Sequence, residues 1–173
     1  MDAFAGMDLR LEKLNALHNV LSFDCQAVYL NDFLQKVALS ETLNDISLTY
    51  VLVGTNQNGS ENIIGYFALE AEILYDREKT HGYAQIPVVH IKCLARHKAL
   101  RGQKVGSVLM YQALHIVAQA SALIGFAGVH LAFTLEGKSL YERFKFGEHP
   151  YGEHNMFLPI STVREYADFD TQD

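Results

Sequence analysis

Apolar positions recur along the chain with two periods, and these periods predict a series of helices and strands. A spacing of three to four residues predicts helices over residues 27–39 and 105–121, and a short helix follows over 137–144. Asp24, just upstream of the first helix, is positioned to cap it. Runs rich in β-branched and aromatic residues predict strands over 48–53, 63–74, 86–95, 127–134 and 154–160. Since the turn sequence NQNGS separates the first two strands, we expect an antiparallel hairpin within a mixed α/β domain around one sheet.

Length and composition narrow the class of protein. The 173 residues match one domain, and we predict a single domain over 1–173, with a core at about 8–160 and an acidic tail ending DFDTQD. Hydrophobic residues make up 49% and charged residues 20%, which is typical of a globular chain and excludes a disordered one. No apolar run approaches the ~20 residues of a membrane helix, the first residues do not resemble a signal peptide, and two cysteines form no disulfide framework. We therefore expect a cytoplasmic protein that binds no membrane.

The junction between strand 86–95 and helix 105–121 is the most informative stretch for function. Free N–H groups and the positive end of the helix dipole favour phosphate oxygens at the start of a helix. Gly102 and Gly106 allow a ligand close to the backbone, and Arg101 and Lys104 add positive charge. The residues alone thus indicate a phosphate-bearing ligand, with a solvated basic turn as the alternative.

The same junction resembles a known family. Residues 101–106, RGQKVG, are similar to the Arg/Gln-x-x-Gly-x-Gly/Ala signature of the GNAT N-acetyltransferases. Further stretches resemble the branch of bacterial toxins that acetylate aminoacyl-tRNA, namely SFDCQAVYLNDFL (22–34), TYVLV (49–53), IIGYFAL (63–69), IPVV (86–89), VGSVLMYQAL (105–114) and SLYERFKF (139–146). The resemblance covers about residues 20–160. It implies the GNAT fold, a single mixed and mostly antiparallel sheet flanked by helices, and acetyl transfer from acetyl-CoA to a primary amine.

The resemblance also implies roles for particular residues. The backbone of Leu94, Ala95 and Arg96 would hold the pantetheine arm of acetyl-CoA. The loop that would bind the pyrophosphate comprises Arg101, Gly102, Gln103, Lys104, Val105, Gly106 and Ser107. Tyr141 matches the tyrosine that GNAT enzymes use as general acid toward the leaving thiolate. Partners implied by the toxin-like branch are tRNA and an antitoxin protein, and the fold suggests a homodimer.

Two positions depart from the family pattern. Lys104 stands where the signature has a glycine, so the lysine is either strained at positive φ or pairs its ammonium with a phosphate. Cys93 stands where the toxin-like branch usually carries arginine, and its apolar strand predicts an inert thiol.

Other polar residues leave alternatives open. Glu70 and Glu72 lie on one face of a strand and either deprotonate the amine through water or line a solvated edge. His90, His97, His115 and His130 lie far apart in the sequence, so no metal site is predicted.

A set of basic residues either contacts tRNA or is solvated, and it consists of Lys92, Arg96, His97, Lys98, Arg101 and Lys104. With a net charge of −6, a wholly basic nucleic-acid binder is excluded. The alternatives to a tRNA-acetylating enzyme are a GNAT enzyme for small-molecule or protein amines and a non-catalytic GNAT-like binding domain.

Overall fold

The protein is built around one mixed sheet. Within residues 7–148 and 152–167, which the computed structural model describes, the sheet has seven strands: β1 (Asp8–Lys13), β2 (Leu48–Thr55), β3 (Glu61–Tyr75), β4 (Gln85–Arg96), β5 (Gly128–Ala132), β6 (Gly147–Glu148) and β7 (Asn155–Pro159). Their order in the sheet is β1-β2-β3-β4-β5-β7-β6. Strand β4 pairs with β5 in parallel, whereas the β1–β2, β2–β3, β5–β7 and β6–β7 pairs are antiparallel. The predicted fold class, a mixed and mostly antiparallel sheet flanked by helices, is confirmed.

The helices agree with the sequence pattern in position and differ in detail. They are α1 (Val28–Asp32), α2 (Ala38–Leu43), α3 (Val105–Ala120), α4 (Lys138–Arg143) and α5 (Ile160–Val163), and a π-helical segment (Phe33–Val37) joins α1 to α2. In the part of the chain that is described, no helix is both long enough and apolar enough to cross a membrane. The predicted acidic tail at 168–173 lies outside the described residues.

Asp24 does not cap α1, so that prediction is wrong. The N-cap residue is Ala27, and it makes no side-chain cap bond. The Asp24 carboxylate instead accepts hydrogen bonds from the Gln26 N–H at 2.8 Å and from Asn31 Nδ2 at 3.0 Å. It also pairs with Lys98 Nζ at 2.7 Å, and this bond is the main cause of the lowered pKa of Asp24. The aspartate therefore fixes the chain ahead of α1 rather than the helix end itself.

The chain divides into two compact units, and strands β3 and β4 run through both. The first unit comprises residues 7–69 and Cys93–Leu109. Its core contains Val51, Val53, Tyr66 and Ala68 from β2 and β3, together with Phe23 and Leu34 from the N-terminal segments. The start of α3 lies close to β3, because a Cβ at Gly65 would stand 2.7 Å from Leu109 Cδ1 and 3.1 Å from the Ala95 carbonyl oxygen. Glycine at this position therefore lets the first turn of α3 approach the sheet.

The second unit comprises Glu70–Lys92 and the described residues from Met110 onward. Strand β5 is buried at Val129 and Leu131 and pairs with β7 through five residue pairs. A Cβ at Gly128 would lie 2.2 Å from the Leu158 carbonyl oxygen and 2.6 Å from Phe157 Cζ. Since β-carbons do not approach a backbone oxygen that closely, the β5–β7 pairing requires glycine at 128. The prediction of a single domain stays a prediction.

Candidate active site

The loop between β4 and α3 is anchored at its start within the first unit. The His97 N–H donates to the Ile64 carbonyl at 2.8 Å, and the Lys98 N–H donates to the Asp24 carbonyl at 2.8 Å. A short 3₁₀ turn over Lys98–Leu100 follows, and the Leu100 side chain is buried. These contacts fix the chain immediately before the residues that the sequence predicts to bind phosphate.

The loop itself presents backbone N–H groups that have no protein partner. Among the described residues, the N–H groups of Gly102, Lys104, Val105 and Gly106 donate to no other residue, whereas the Gln103 N–H donates to the Leu100 carbonyl at 3.2 Å. Helix α3 starts at Val105 and is 16 residues long, so the positive end of its dipole lies at these same groups. Several free donors at a helix N-terminus match an anion with several acceptor oxygens.

Lys104 adopts the backbone conformation that favours glycine. Its φ is +56°, and Gly102 nearby has φ +83° with nothing within 4 Å of where a Cβ would stand. The Lys104 carbonyl accepts the N–H of Ser107 at 2.9 Å and that of Val108 at 3.1 Å, so this residue begins α3. A non-glycine residue at such a φ carries strain of about 1–3 kcal/mol. Of the two alternatives that the sequence leaves open, the structure favours the strained lysine.

The residues that would hold the pantetheine arm lie beyond the part of β4 that pairs with β5. The recorded pairs between β4 and β5 are Val89 with Val129 and His90 with His130, and β4 continues from there to Arg96. Leu94, Ala95 and Arg96 thus form the end of the strand that leads into the loop. Backbone groups at such a strand end can bond a ligand instead of a neighbouring strand.

Gln103 carries a second group that a ligand can satisfy. Its side-chain oxygen Oε1 is buried and has no hydrogen-bond partner among the described residues. A buried polar group without a partner costs about 1–3 kcal/mol. Together with the free N–H groups, this amide makes the predicted pyrophosphate loop a site with unmet hydrogen-bonding capacity.

Cys93 is half-buried against the core of the first unit and contacts Tyr66. The Tyr66 hydroxyl donates to the Leu30 carbonyl at 2.8 Å, and the Cys93 thiol lies beside the same hydroxyl. Burial, followed by the effects of Cys93 and Cys25, raises the pKa of Tyr66. The inert cysteine expected from the sequence stays a prediction.

Tyr141 lies on α4 in the second unit, whereas the cofactor-binding candidates all lie in the first. Its ring is half-buried and meets Phe146 edge-on, with ring centroids 6.2 Å apart. A Cβ at Gly137 would stand 3.1 Å from Tyr141 Cε2, so the glycine leaves room for the ring. Sequence reasoning missed this role of Gly137. The spacing of these two residues could have indicated it, because the glycine lies one helical turn before the tyrosine.

Polar residues of three strands meet in the second unit, where sequence reasoning expected no grouping of histidines. His90 and His130, which lie far apart in the sequence, are register partners with ring centroids 5.1 Å apart. Glu70 Oε1 lies 2.9 Å from His90 Nδ1, and Glu72 Oε2 lies 2.8 Å from His130 Nδ1. Both carboxylates therefore contact histidines rather than lining a solvated edge. The sequence pattern did not reveal this cluster, because the glutamates lie far from the histidines in the sequence and only the strand register brings these residues together.

A seven-stranded mixed sheet in which β4 leads into a loop of free N–H groups before a long helix is the arrangement of the GNAT acetyltransferases. No family model matches the sequence. A curated relative, the probable toxin TacT of Sinorhizobium fredii, is 26% identical over 163 residues, which cover 85% of this chain and 88% of the relative.

Solved structures extend this likeness to most of the chain. A tyrosine-to-phenylalanine mutant of the toxin AtaT, bound to the C-terminus of the antitoxin AtaR and acetyl-CoA, has a TM-score of 0.77 and 25% identity, over 91% of this chain and 97% of its own. AtaT complexed with acetyl-methionyl-tRNAfMet has a TM-score of 0.79 and 25% identity, over 91% of this chain and 98% of its own. The resemblance to the toxin-like branch of GNAT acetyltransferases, predicted from the sequence motifs, is confirmed.

Proposed function

We propose that this protein is an acetyl-CoA-dependent N-acetyltransferase that acetylates the amino group of an aminoacyl-tRNA. The observation that carries the proposal is the loop whose four N–H groups have no partner within residues 7–148 and 152–167, because this loop stands where the GNAT signature places the pyrophosphate. The AtaT structures support the substrates, since one holds acetyl-CoA and another holds an acetylated aminoacyl-tRNA.

The residues of the loop fit the pyrophosphate of acetyl-CoA. The N–H groups of Gly102, Lys104, Val105 and Gly106 would donate to phosphate oxygens, and Gln103 Nε2 and the Ser107 hydroxyl would add side-chain bonds. Arg101 is exposed and contributes positive charge. The backbone of Leu94, Ala95 and Arg96 would hold the pantetheine arm. Binding of this kind relies on position rather than on a deep apolar pocket.

The chemistry is a direct attack that needs no covalent acetyl-enzyme. The substrate amine loses a proton, its nitrogen forms a bond to the thioester carbonyl carbon, and the carbon–sulfur bond breaks. A backbone N–H near Leu94–Arg96 would polarise the carbonyl oxygen. The Tyr141 hydroxyl would give its proton to the departing thiolate and act as general acid. Cys93 takes no part, which agrees with its contact with Tyr66.

The acceptor is inferred from the neighbouring AtaT complex and from the distribution of positive charge. Two members of the basic set are already paired, Lys92 with Glu70 at 3.1 Å and Lys98 with Asp24 at 2.7 Å. Arg101 and Lys104 are exposed, and Arg96 is half-buried. Contacts to tRNA would use these side chains, and binding would weaken steeply with salt because it depends on phosphate neutralisation.

The proposed function also implies a partner and a compartment. Since the AtaT neighbour is bound to the C-terminus of its antitoxin, we infer an antitoxin partner for this protein as well. Its tRNA substrate and its two free thiols agree with a cytoplasmic location. The homodimer expected from the sequence stays a prediction.

The test is to incubate the protein with labelled acetyl-CoA and a set of aminoacyl-tRNAs and to analyse the products. The account predicts labelled N-acetyl-aminoacyl-tRNA with the wild type and with Tyr83→Phe, a matched variant of an exposed tyrosine. Tyr141→Phe is expected to lose the activity. If only a small-molecule or protein amine is acetylated, that amine replaces aminoacyl-tRNA as the acceptor in the proposal. Absence of any transfer, with acetyl-CoA binding intact, would identify the non-catalytic domain.

A further inference from the structure

Three side chains with metal-binding atoms converge in the second unit, from three different strands. Glu72 of β3, His90 of β4 and His130 of β5 each offer one ligand atom, and these atoms all lie within 4.8 Å of one another. Among the residues that the structure describes, this is the one such group of three. The strand register produces it, because His90 and His130 are paired across β4 and β5.

The donor set is specific for a class of ion. Two imidazoles and one carboxylate form the ligand set of many zinc sites that keep an open position. We propose that Glu72, His90 and His130 bind a zinc ion, with water in the remaining position. This proposal does not rest on the proposed acetyl transfer, since it uses none of the residues assigned to acetyl-CoA.

The distances are close to those that a zinc ion needs. Glu72 Oε2 lies 2.8 Å from His130 Nδ1 and 3.8 Å from His90 Nδ1. Tetrahedral ligands at about 2.0–2.2 Å from zinc stand about 3.4 Å apart. The two carboxylate–nitrogen distances differ from this value by about 0.6 and 0.4 Å, and the two histidine nitrogens lie within 4.8 Å of each other.

The surroundings of the three ligands also suit a bound cation. Glu70 Oε1 lies 2.9 Å from His90 Nδ1 and places a second carboxylate beside the same nitrogen. Lys92 Nζ pairs with the other oxygen of Glu70 at 3.1 Å and offsets the charge of that carboxylate. The negative charge that faces both histidines is therefore mainly that of Glu72. The side chain of His130 is only 10% exposed and that of His90 19%, which limits the rotations open to both rings. The histidines are therefore largely pre-positioned.

A histidine–glutamate pair elsewhere in the protein provides a matched control. His18 Nε2 lies 3.0 Å from Glu12 Oε2 in the first unit, and no third metal-ligand residue joins this pair among the described residues. The exposed fraction of the Glu12 side chain is 35%, and that of Glu72 is 34%. Substitution of either carboxylate by glutamine changes the same atoms in a similar setting.

The experiment titrates the full-length, tag-free and chelator-treated protein with zinc by calorimetry, and with cobalt as a spectroscopic probe. We expect one zinc per chain and tetrahedral cobalt absorption bands. Glu72→Gln should lower zinc affinity about 100-fold or more, because it removes one of the three ligands. Glu12→Gln should leave the affinity unchanged.

The outcomes separate a metal site from a network of hydrogen bonds. Absence of binding to the wild type, or equal binding by the wild type and Glu72→Gln, would overturn the proposal. Equal losses in Glu72→Gln and Glu12→Gln would also overturn it, because binding would then be unspecific. If Glu72→Gln does not fold by circular dichroism, His90→Gln provides the same comparison at a partly exposed ligand. Acetyl-CoA binding is measured in parallel and is expected to be retained, so failure of this proposal is distinguishable from failure of the proposed function.

Discussion

The predicted phosphate-binding loop of the first unit and the histidine cluster of the second unit assemble polar groups in different ways. The loop uses backbone N–H groups of neighbouring residues, from Gly102 to Gly106, at the start of one helix. The cluster uses side chains of three strands, and its Glu72–His130 contact joins residues 58 positions apart. The loop therefore depends on local conformation, whereas the cluster depends on strand register.

This difference decides how each region tolerates change. A substitution in the loop alters a donor or a φ angle and leaves the sheet in place. A shift of β5 by one residue would move His130 to the opposite face of the sheet, away from Glu72. We therefore expect loop variants to change ligand binding, and substitutions that disturb β5 to change stability and zinc binding together.

Tyr141→Phe is expected to have the largest effect on activity, and it tests whether cofactor binding and chemistry depend on different residues. Loss of a general acid reduces turnover by about 10²- to 10⁴-fold. Since the ring contact with Phe146 is retained, stability and acetyl-CoA affinity should change little. Kinetics and calorimetry measure the two quantities. Turnover within twofold of the wild type, with chemistry rate-limiting, would contradict the assigned role.

Gly106→Glu is expected to abolish the stabilisation of the protein by acetyl-CoA. A carboxylate at the free N–H groups repels the pyrophosphate and fills its space. For the wild type, ligand at about 100 times its Kd adds about 2.7 kcal/mol, which thermal unfolding detects. Gly125→Glu serves as the control, because a Cβ at Gly125 has nothing within 4 Å. If acetyl-CoA still stabilises Gly106→Glu, the loop assignment is refuted. If this variant no longer binds zinc, the loop and the histidine cluster are not independent.

Features that depend on neighbouring residues in the sequence, such as the loop before α3, were largely predictable. The apolar spacing over 105–121 predicted α3 to within one residue of its observed end at Ala120, and the loop was recognised from its glycines and charges. Strand β1 was missed although Leu9 and Leu11 alternate with charged residues, because a short edge strand carries few apolar positions.

The parts that sequence reasoning could not reach depend on register. Nothing near His90 in the sequence identifies His130 as its partner, since the pairing is set by how β4 and β5 align. The close contact of Gly128 with the Leu158 carbonyl has the same origin. The φ of Lys104 was left as an alternative, because only the backbone geometry of the loop decides it.

Gly128→Ala tests how strongly the second unit depends on the β5–β7 register. The added methyl would meet the Leu158 carbonyl oxygen and the Phe157 ring, and overpacking of this kind costs about 1–3 kcal/mol. We expect the upper end of that range, since the nearest atom is backbone. Chemical denaturation measures the loss, with Gly125→Ala as the matched variant in open space. Equal stability of the two variants would mean that β5 does not lie as described.

Lys104→Gly is expected to have the smallest effect. Removal of the side chain relieves backbone strain on the order of 1 kcal/mol, and acetyl-CoA affinity stays equal or rises. Lys79→Gly, at φ +52° in an exposed turn, controls for the strain alone. Calorimetry at two salt concentrations decides the role of the charge. Lower affinity with a weaker salt dependence in Lys104→Gly would show that the ammonium pairs with phosphate.

The central claim is that the loop before α3 binds the pyrophosphate of acetyl-CoA through its backbone N–H groups. The most direct measurement follows the amide resonances of the ¹⁵N-labelled protein by nuclear magnetic resonance during titration with acetyl-CoA. The account predicts that the largest shifts occur at Gly102, Lys104, Val105 and Gly106, the N–H groups without protein partners. Saturable binding of acetyl-CoA that leaves these four resonances unmoved would contradict it.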